Sequence, residues 1–326
     1  MVVAMTVDAA PRPTALAVTR PVAVAVALGI VYVVWGSTYL AIGIVVETMP
    51  SLTSAGARFF LAGVVMALVL AARSGWRRLA VNRVQLLGAS LLGALLPAAG
   101  NGLVTIGEDL GTPTGIAALM IASVPLWVVS YRLLSGDRPR WATIVGVLLG
   151  FAGLAALVAA IGVTGTIPLG PTLLIGFAAM CWSFGSWLQP RLRLPRDPFV
   201  TTVYEMLAGG AVMLMVGPLS GERLDLSAYS ARSWTAWTYL VVFGSLVAFT
   251  AYVWVLSNAP ISLVATYAYV NPVVALFLGW IVLGEALTGS VLVATAVILV
   301  GVGVVVGSER HRRPTPPSDS CTDPHG

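Results

Sequence analysis

The feature that most limits the folds open to this chain is a succession of apolar segments about 20 residues long, the length that a helix needs to cross a bilayer. Such helices satisfy their backbone hydrogen bonds internally, as hydrocarbon requires. Only 10% of the 326 residues are charged, whereas a soluble domain carries about 25%. We therefore predict an all-α polytopic membrane protein with ten transmembrane helices. They are expected near residues 22–46, 51–72, 84–106, 113–134, 141–161, 168–189, 198–218, 233–256, 260–283 and 288–307.

The arginines agree with ten spans and give them an orientation. Ten spans place fifteen arginines on one side of the membrane and only Arg223 and Arg232 on the other, with Arg58 inside a span. Positive residues accumulate in cytoplasmic loops, so both termini are expected in the cytoplasm. The same rule accounts for the net charge of +5, and no nucleic-acid partner is expected. The fifteen are Arg12, Arg20, Arg73, Arg77, Arg78, Arg83, Arg132, Arg138, Arg140, Arg191, Arg193, Arg196, Arg310, Arg312 and Arg313.

Two tails are expected outside the spans. Residues 1–21 would form a cytoplasmic N-terminal tail, and residues 308–326, which are polar and rich in proline, a disordered cytoplasmic C-terminal tail. The first apolar run is longer than the core of a cleaved signal peptide. Cys181 lies in an apolar run and Cys321 in the tail, so no disulfide framework is expected.

An internal repeat divides the chain into two halves. PTGIAALMIASVP (113–125) aligns with PISLVATYAYVNP (260–272) at an offset of 147, and FLAGVVMAL (60–68) aligns with MLAGGAVML (206–214) at an offset of 146. Chance likeness between alanine-rich apolar segments could explain one such pair, but four pairs keep the same order. The other two are VWGSTYL (34–40) with CWSFGSWL (181–188) and LSGD (134–137) with VLGE (282–285).

The number of spans in each half determines how the halves relate. Each half would hold five spans, an odd number, so the second half would enter the membrane inverted relative to the first. We therefore expect one five-helix repeat at residues 22–161 and a second at residues 168–307. Inverted repeats around a site near the membrane midplane are typical of alternating-access carriers.

Five motifs carry a resemblance to a known family: WGSTYLAI, ARFFLAG, GNGLVTIGEDLGTPTGIAALMIASVPLW, TYAYVNP and LGWIVLGEALT. In this order and spacing they resemble the EamA-type permeases of the drug/metabolite transporter superfamily, especially the YedA-like branch. The resemblance covers residues 22–307. It implies ten helices, a bacterial plasma (inner) membrane location and export or uptake of small metabolites. It also implies a central cavity lined mainly by the first, third, fourth, sixth, eighth and ninth helices.

Polar and aromatic side chains recur at helical spacing within the predicted spans. In hydrocarbon they should face the bundle or a cavity, and residues three or four apart share a face. Aromatic walls with a few hydrogen-bonding groups suit an amphipathic organic solute. Alternatively, such residues join helices or anchor interfaces. The candidate substrate-binding residues are Tyr32, Trp35, Ser37, Tyr39, Asn101, Thr105, Trp182, Ser186, Trp254, Tyr267 and Asn271.

Two prolines lie inside predicted spans at matching places in the two halves, Pro125 and Pro272. A proline removes a helix hydrogen bond and disturbs the carbonyl group four residues earlier. Matched interruptions of this kind indicate a transport site or hinge. A kink that improves packing is the alternative.

Three charged residues are candidates for coupling or gating. Glu205 and Glu108 are candidate coupling residues, because a carboxylate at low dielectric can exchange a proton during transport; a structural hydrogen bond and simple solvation are the respective alternatives. Arg58 lies about 10 Å into the second helix at 1.5 Å per residue, within reach of the headgroups by snorkelling. We expect an outer-rim anchor or gate there, paired with Glu47 or Glu108, with a substrate site as the alternative.

These patterns favour an alternating-access transporter that exports small metabolites such as amino acids or amphipathic organic compounds, with protons as the candidate coupling ion. A facilitative permease and a non-transporting membrane receptor are the alternatives. No enzyme, cofactor or metal site is expected, since both histidines, His311 and His325, lie in the tail and no zinc motif occurs in a span. Glycines four apart in GVLLG (146–150) and GVVVG (303–307) allow close helix packing, within a monomer or across a homodimer.

Overall fold

A computed structural model describes residues 21–112, 114–161, 168–283 and 288–310. The regular secondary structure within these ranges is helical, as predicted. Among the described residues, eight helices are long and apolar enough to cross a membrane, whereas the predicted fourth and ninth spans are each built from shorter helices. The helices are α1 (Pro21–Val46), α2 (Ser51–Ser74), α3 (Arg83–Asp109), α4 (Thr114–Ile121), α5 (Val124–Leu134), α6 (Trp141–Ile161), α7 (Leu169–Leu188), α8 (Pro198–Leu219), α9 (Ala231–Leu256), α10 (Ile261–Val264), α11 (Tyr267–Leu283) and α12 (Gly289–Arg310).

The predicted tails differ slightly from the observed helix ends. Pro21 already belongs to α1, and α12 continues to Arg310, so the C-terminal tail cannot begin at residue 308 as predicted. The remainder of both predicted tails lies outside the described residues, as does Glu285 of the VLGE segment.

Helix packing follows a consistent pattern. The second long helix, α2, packs along α8, and α6 packs along α12. Helix α1 contacts α9 and α11, whereas α7 contacts α3, α4 and α5. The largest cluster of buried apolar side chains lies between these helices. The centre of the bundle is therefore built from residues of both halves of the chain.

The fourth predicted span breaks between α4 and α5, and Pro125 does not interrupt a helix as predicted. It occupies the first turn of α5, where its missing N–H would have had no partner inside the helix anyway. The break itself comes just before, at Ser123, whose hydroxyl donates to the Met120 carbonyl at 2.6 Å. Hydroxyls that bond local carbonyls compete with helix continuation.

The ninth predicted span breaks at a different place relative to its proline. Helix α10 ends at Val264, and Thr266 donates its hydroxyl to the Leu263 carbonyl at 2.6 Å. Pro272 then lies inside α11. The two prolines are thus not equivalent interruptions: only Pro272 removes a donor from within a helix.

Two long helices contain wider, π-helical turns that the sequence analysis did not predict. In α3 the π-helical segment is Ala94–Gly102, which contains Pro97. Because a proline clashes with the carbonyl four residues before it, a wider turn at this place has a local cause. In α9 the π-helical segment is Leu240–Phe249, and no residue in it explains the widening. Such turns are frequent at functional sites.

The first turn of α2 is held by a carboxylate from the segment after α8. Pro50 gives this helix no side-chain cap, so the Leu52 and Thr53 backbone N–H groups donate instead to the two oxygens of Glu222, each at 2.7 Å. The Thr53 hydroxyl adds a third bond at 2.5 Å. A carboxylate at a helix N-terminus is stabilising, and this one fixes the start of α2 against α8.

Glycines let α6 and α12 approach closely, but only part of the predicted pattern is used. A Cβ atom on Gly301 would lie 2.5 Å from the Gly150 backbone nitrogen and 2.8 Å from the Gly146 carbonyl oxygen. A Cβ on Gly303 would meet nothing within 4 Å. The GVLLG segment therefore packs closely against Gly301 within the chain, whereas Gly303 of the GVVVG segment makes no close approach.

Replacing Gly301 with alanine should lower the thermal unfolding temperature of the purified protein. The added methyl group would meet backbone atoms that cannot rotate away, and overpacking of this kind costs about 1–3 kcal/mol. Gly303→Ala is the matched control, since it adds the same group to the same helix in open space and gains helix propensity. Equal unfolding temperatures for the two variants would contradict the close approach.

Candidate functional site

One central cavity collects side chains from α1, α2, α3, α4, α5, α7, α9 and α11. All the helices that the family resemblance implied contribute to it, and α2 contributes as well. Seven of the predicted functional residues are among those that line it. The lining residues are Trp35, Thr38, Tyr39, Ile42, Arg58, Phe59, Gly100, Asn101, Val104, Ile121, Val124, Trp182, Gly244, Phe249, Tyr267 and Asn271.

The cavity is narrow. The empty space among its lining atoms, including the part continuous with the exterior, is about 640 Å³, but only about 60 Å³ of it is wide enough for a water molecule. The value of 60 Å³ decides what can enter the cavity, because the remaining crevices between side chains are too narrow to hold a molecule. It allows a few waters, whereas pockets for organic ligands measure about 300–1,000 Å³.

Four rings form an aromatic cluster at the wall of the cavity: Trp35, Trp182, Tyr252 and Tyr267. The Trp35 ring centroid lies 5.4 Å from that of Trp182, edge to face, and 5.1 Å from that of Tyr267. Tyr252 lies 4.9 Å from Trp35 and 5.3 Å from Trp182. These separations are in the favourable range for aromatic pairs, so the rings support one another as a rigid apolar surface.

Hydrogen bonds and one glycine fix the two tryptophans of this cluster. Trp35 donates its indole N–H to the Gly244 carbonyl at 3.2 Å, in the π-helical part of α9. Trp182 donates to the Tyr252 hydroxyl at 2.9 Å. A Cβ on Gly100 would lie 2.6 Å from the Trp182 ring, so the absence of a side chain there makes room for the indole.

Asn271 ties α1 to α11 beside the cluster. It is 1% exposed. Oriented to satisfy its neighbours, its amide donates to the carbonyls of Tyr32 at 3.2 Å and Tyr267 at 3.0 Å. Its amide therefore donates to one backbone carbonyl of α1 and to one of α11.

Arg58 does not snorkel to the surface and does not pair with either predicted acid. It is 4% exposed and lines the cavity. One terminal nitrogen donates to Asn101 Oδ1 at 2.6 Å, and the guanidinium carbon lies 4.4 Å from the Phe59 ring centroid. Glu47 instead pairs with Arg232 at 3.5 Å. The protein, not the headgroup layer, surrounds this charge.

Two acids lie buried near the cavity without lining it. Glu205 is fully buried, and both carboxylate oxygens of Glu205 and of Glu108 have no hydrogen-bond partner among the described residues. Glu108 is close enough to Tyr39 to act on it electrostatically, and Glu205 acts similarly on Tyr252. Within the described ranges, no group of three or more His, Cys, Asp or Glu side chains could hold a metal.

The other predicted substrate-binding residues do not line the cavity. Tyr32 bonds Thr266 at 2.6 Å and Ser37 bonds Tyr239 at 2.5 Å. Thr105 donates to the Asn101 carbonyl at 3.1 Å, and Ser186 bonds the Tyr252 hydroxyl at 2.6 Å. These four support cavity residues or join helices.

Trp254 lies in a different place from the one predicted. It lines an apolar groove at the bundle surface together with Thr250 and the first residues of α1. Trp254 therefore faces outwards, and the interior position on α9 is occupied by Tyr252, which is 1% exposed.

Comparison with known proteins identifies the family. The model of the EamA-like transporter family matches residues 23–159 and again residues 170–307. The chain belongs to the EamA-like transporter family. It is 38% identical over 279 residues to the uncharacterized inner membrane transporter YedA of Escherichia coli K12, covering 86% of this chain and 89% of YedA.

More distant relatives and a solved structure agree. The uncharacterized transporter YoaV of Bacillus subtilis 168 is 25% identical over 289 residues, covering 86% of this chain and 96% of its own. A crystal structure matches with a TM-score of 0.70 at 22% identity, over 88% of this chain and 98% of the other, which shows a shared fold. This EamA-like protein is thus a multi-pass inner membrane transporter, and the family indicates transport rather than catalysis.

Tyr252 is the main site residue of this EamA-like transporter that the sequence analysis missed. It lies two residues from Thr250 and from Trp254, so it points to the opposite side of α9 from the surface groove that those two residues line. The repeat did offer a signal, since the position 147 residues earlier is Thr105, itself a predicted candidate. Only the neighbouring rings show that Tyr252 faces the interior.

Replacing Tyr252 with phenylalanine should lower the thermal unfolding temperature in detergent, because Trp182 loses its acceptor and Ser186 a partner. A buried donor left without a partner costs about 1–3 kcal/mol. Tyr131→Phe is the control, since that hydroxyl makes only a 3.4 Å contact with the Met180 carbonyl. If both variants unfolded at the same temperature as the native protein, the role given to the Tyr252 hydroxyl would be wrong.

Proposed function

We propose that this protein is an alternating-access carrier that exports small metabolites, namely amphipathic organic compounds such as amino acids. The observation that carries the proposal is the central cavity, whose walls combine an aromatic surface with amide, hydroxyl and guanidinium groups. Such a lining suits a solute with both apolar and polar parts. The cavity is also too narrow for an organic solute, so substrate can bind only after helices move, as in a carrier.

The proposal includes two inverted five-helix repeats, residues 22–161 and 168–307, which together make ten spans. The α4–α5 and α10–α11 pairs would each count as one broken span. In support, Trp35 and Trp182 are separated by the repeat offset of 147 residues and meet at 5.4 Å. The contacts of α1 with α9 and α11 correspond to those of α7 with α3 and α5.

Two further observations support this internal symmetry. The π-helical segments Ala94–Gly102 and Leu240–Phe249 begin 146 residues apart and end 147 apart. The family model also matches the chain twice, once in each half. With ten spans, the distribution of arginines would put both termini in the cytoplasm. The proposed hinges of the motion are the break before α5, next to Pro125, and the break before α11, the helix that contains Pro272.

A flux assay tests the cavity. In proteoliposomes loaded with one member of a panel of amino acids and amphipathic organic compounds, the native protein should catalyse counterflow of at least one compound. Trp35→Ala should lower that flux about tenfold or more, because it removes three ring contacts of the wall. Trp76→Ala is the control, since Trp76 is exposed outside the cavity. Absence of counterflow across the whole panel would refute the carrier and favour a non-transporting receptor.

Proton coupling is proposed at Glu205, because its carboxylate is fully buried without a hydrogen-bond partner and acts on Tyr252, which bonds the cavity residue Trp182. Glu108, near Tyr39, is the second candidate. A proton gained or lost at Glu205 would change the electrostatic environment of the cavity wall through one intervening side chain.

Glu205→Gln should keep counterflow but lose the response of net flux to an imposed proton gradient, because an amide cannot take up and release the proton. Glu47→Gln serves as the control, since Glu47 is half exposed and pairs with Arg232. Native flux that ignores the gradient would remove the coupling role and leave a facilitative permease.

A further inference from the structure

Arg58 lines the central cavity, and most N–H donors of its guanidinium make no hydrogen bond to the described residues. A guanidinium has five N–H donors and a permanent positive charge. Only one donor is used among the described residues, in the 2.6 Å bond to Asn101 Oδ1. The Nε atom is buried without a partner, and the contact with the Phe59 ring does not neutralise the charge.

No carboxylate of the described residues balances this charge. Glu47, Asp137, Asp197, Glu222 and Asp225 each bond other groups. Asp109 is exposed at the end of α3. The carboxylate oxygens of Glu108 and Glu205 contact no donor, so neither is bonded to Arg58. The other lining residues of the cavity are uncharged. The wall therefore carries one positive charge whose partner is not supplied by the part of the chain that the structure describes.

A buried charge without a partner is costly, and a neutral side chain could fill the same space at lower cost. The cost is offset if an anion binds there during the transport cycle, because charge-assisted bonds to arginine are strong and directional. A phosphate monoester carries about −1.5 to −2 charges near pH 7 and would leave excess negative charge. A carboxylate carries one, which matches the single guanidinium.

We propose that Arg58 is the anion-recognition group of the transport site and that the substrate is an organic monocarboxylate with an apolar body. This rests on the proposed carrier function and names its substrate class. The carboxylate would take the free N–H donors of Arg58, and the apolar body would lie on the Trp35, Trp182 and Tyr267 rings. Asn101 is a positioning residue: its Oδ1 holds the guanidinium, and its own carbonyl accepts a bond from Thr105.

The first test compares acids with their amides. Purified full-length protein in detergent is heated with 3-phenylpropionate, 4-methylpentanoate, phenylalanine and leucine, and with the primary amide of each. We expect at least one acid to raise the unfolding temperature and its amide to have no effect. The inference is overturned if no acid raises it, or if acid and amide raise it equally.

Variants separate recognition from a structural role. Arg58→Gln should abolish stabilisation by the acid while leaving the ligand-free unfolding temperature unchanged or higher, because an unpaired buried charge is removed. Arg58→Lys should weaken the apparent affinity for the acid about tenfold or more, since an ammonium lacks the planar fork. A large fall in the ligand-free temperature of Arg58→Gln, with acid binding retained by Arg58→Lys, would identify a purely structural arginine.

A third variant supplies the missing counter-charge from within the protein. Asn101→Asp is nearly isosteric and would place a carboxylate beside the guanidinium. It should raise the ligand-free unfolding temperature and abolish stabilisation by the acid, even if Arg58→Gln fails to fold. Asn258→Asp is the control, because Asn258 lies at the end of α9 and bonds the Trp254 carbonyl. Acid binding that survives in Asn101→Asp would overturn the proposal.

Counterflow measurements distinguish this inference from the carrier proposal. If neutral or cationic compounds exchange and carboxylates do not, the carrier stands and the anion site is wrong. If acids stabilise the protein through Arg58 but no compound is exchanged, the anion site stands and the carrier proposal fails.

Discussion

Hydrocarbon offers no hydrogen-bond partner to a polar group, and this constraint explains most of the architecture. Every described regular element is a helix because helices satisfy their own backbone. Where helices break, the hydroxyls of Ser123 and Thr266 donate hydrogen bonds to backbone carbonyls three residues earlier. Where α2 begins without a side-chain cap of its own, the Glu222 carboxylate receives its free N–H groups.

Against that background, the unsatisfied groups become informative. Arg58, Glu108 and Glu205 are ionisable side chains with buried polar atoms that have no hydrogen-bond partner among the described residues. Of the three, only Arg58 lines the cavity. The surrounding rings and amides are well satisfied: Trp35, Trp182 and Asn271 all have acceptors. The wall is thus a fixed frame around a few polar groups whose partners the described part of the chain does not supply.

Sequence patterns predicted much of this frame. Helical spacing of polar and aromatic residues indicated Trp35 and Trp182, which meet at the cavity, and the family resemblance indicated the helices that line it. The patterns failed where packing against neighbouring helices determines which way a side chain points. Helical spacing showed that Thr250 and Trp254 share a face, but not that this face lies at the bundle surface while Tyr252 faces inwards.

By itself the sequence determined the membrane class, the approximate spans and the family, because these depend on apolar length, charge placement and motif order, all of which are local or periodic. The tertiary structure decided which partners the polar groups find. Arg58 bonds Asn101, 43 residues away, rather than either predicted acid, and Gly301 rather than Gly303 meets α6. Rotation of each helix about its axis is set by packing against several neighbours at once, and one helix's sequence does not contain that information.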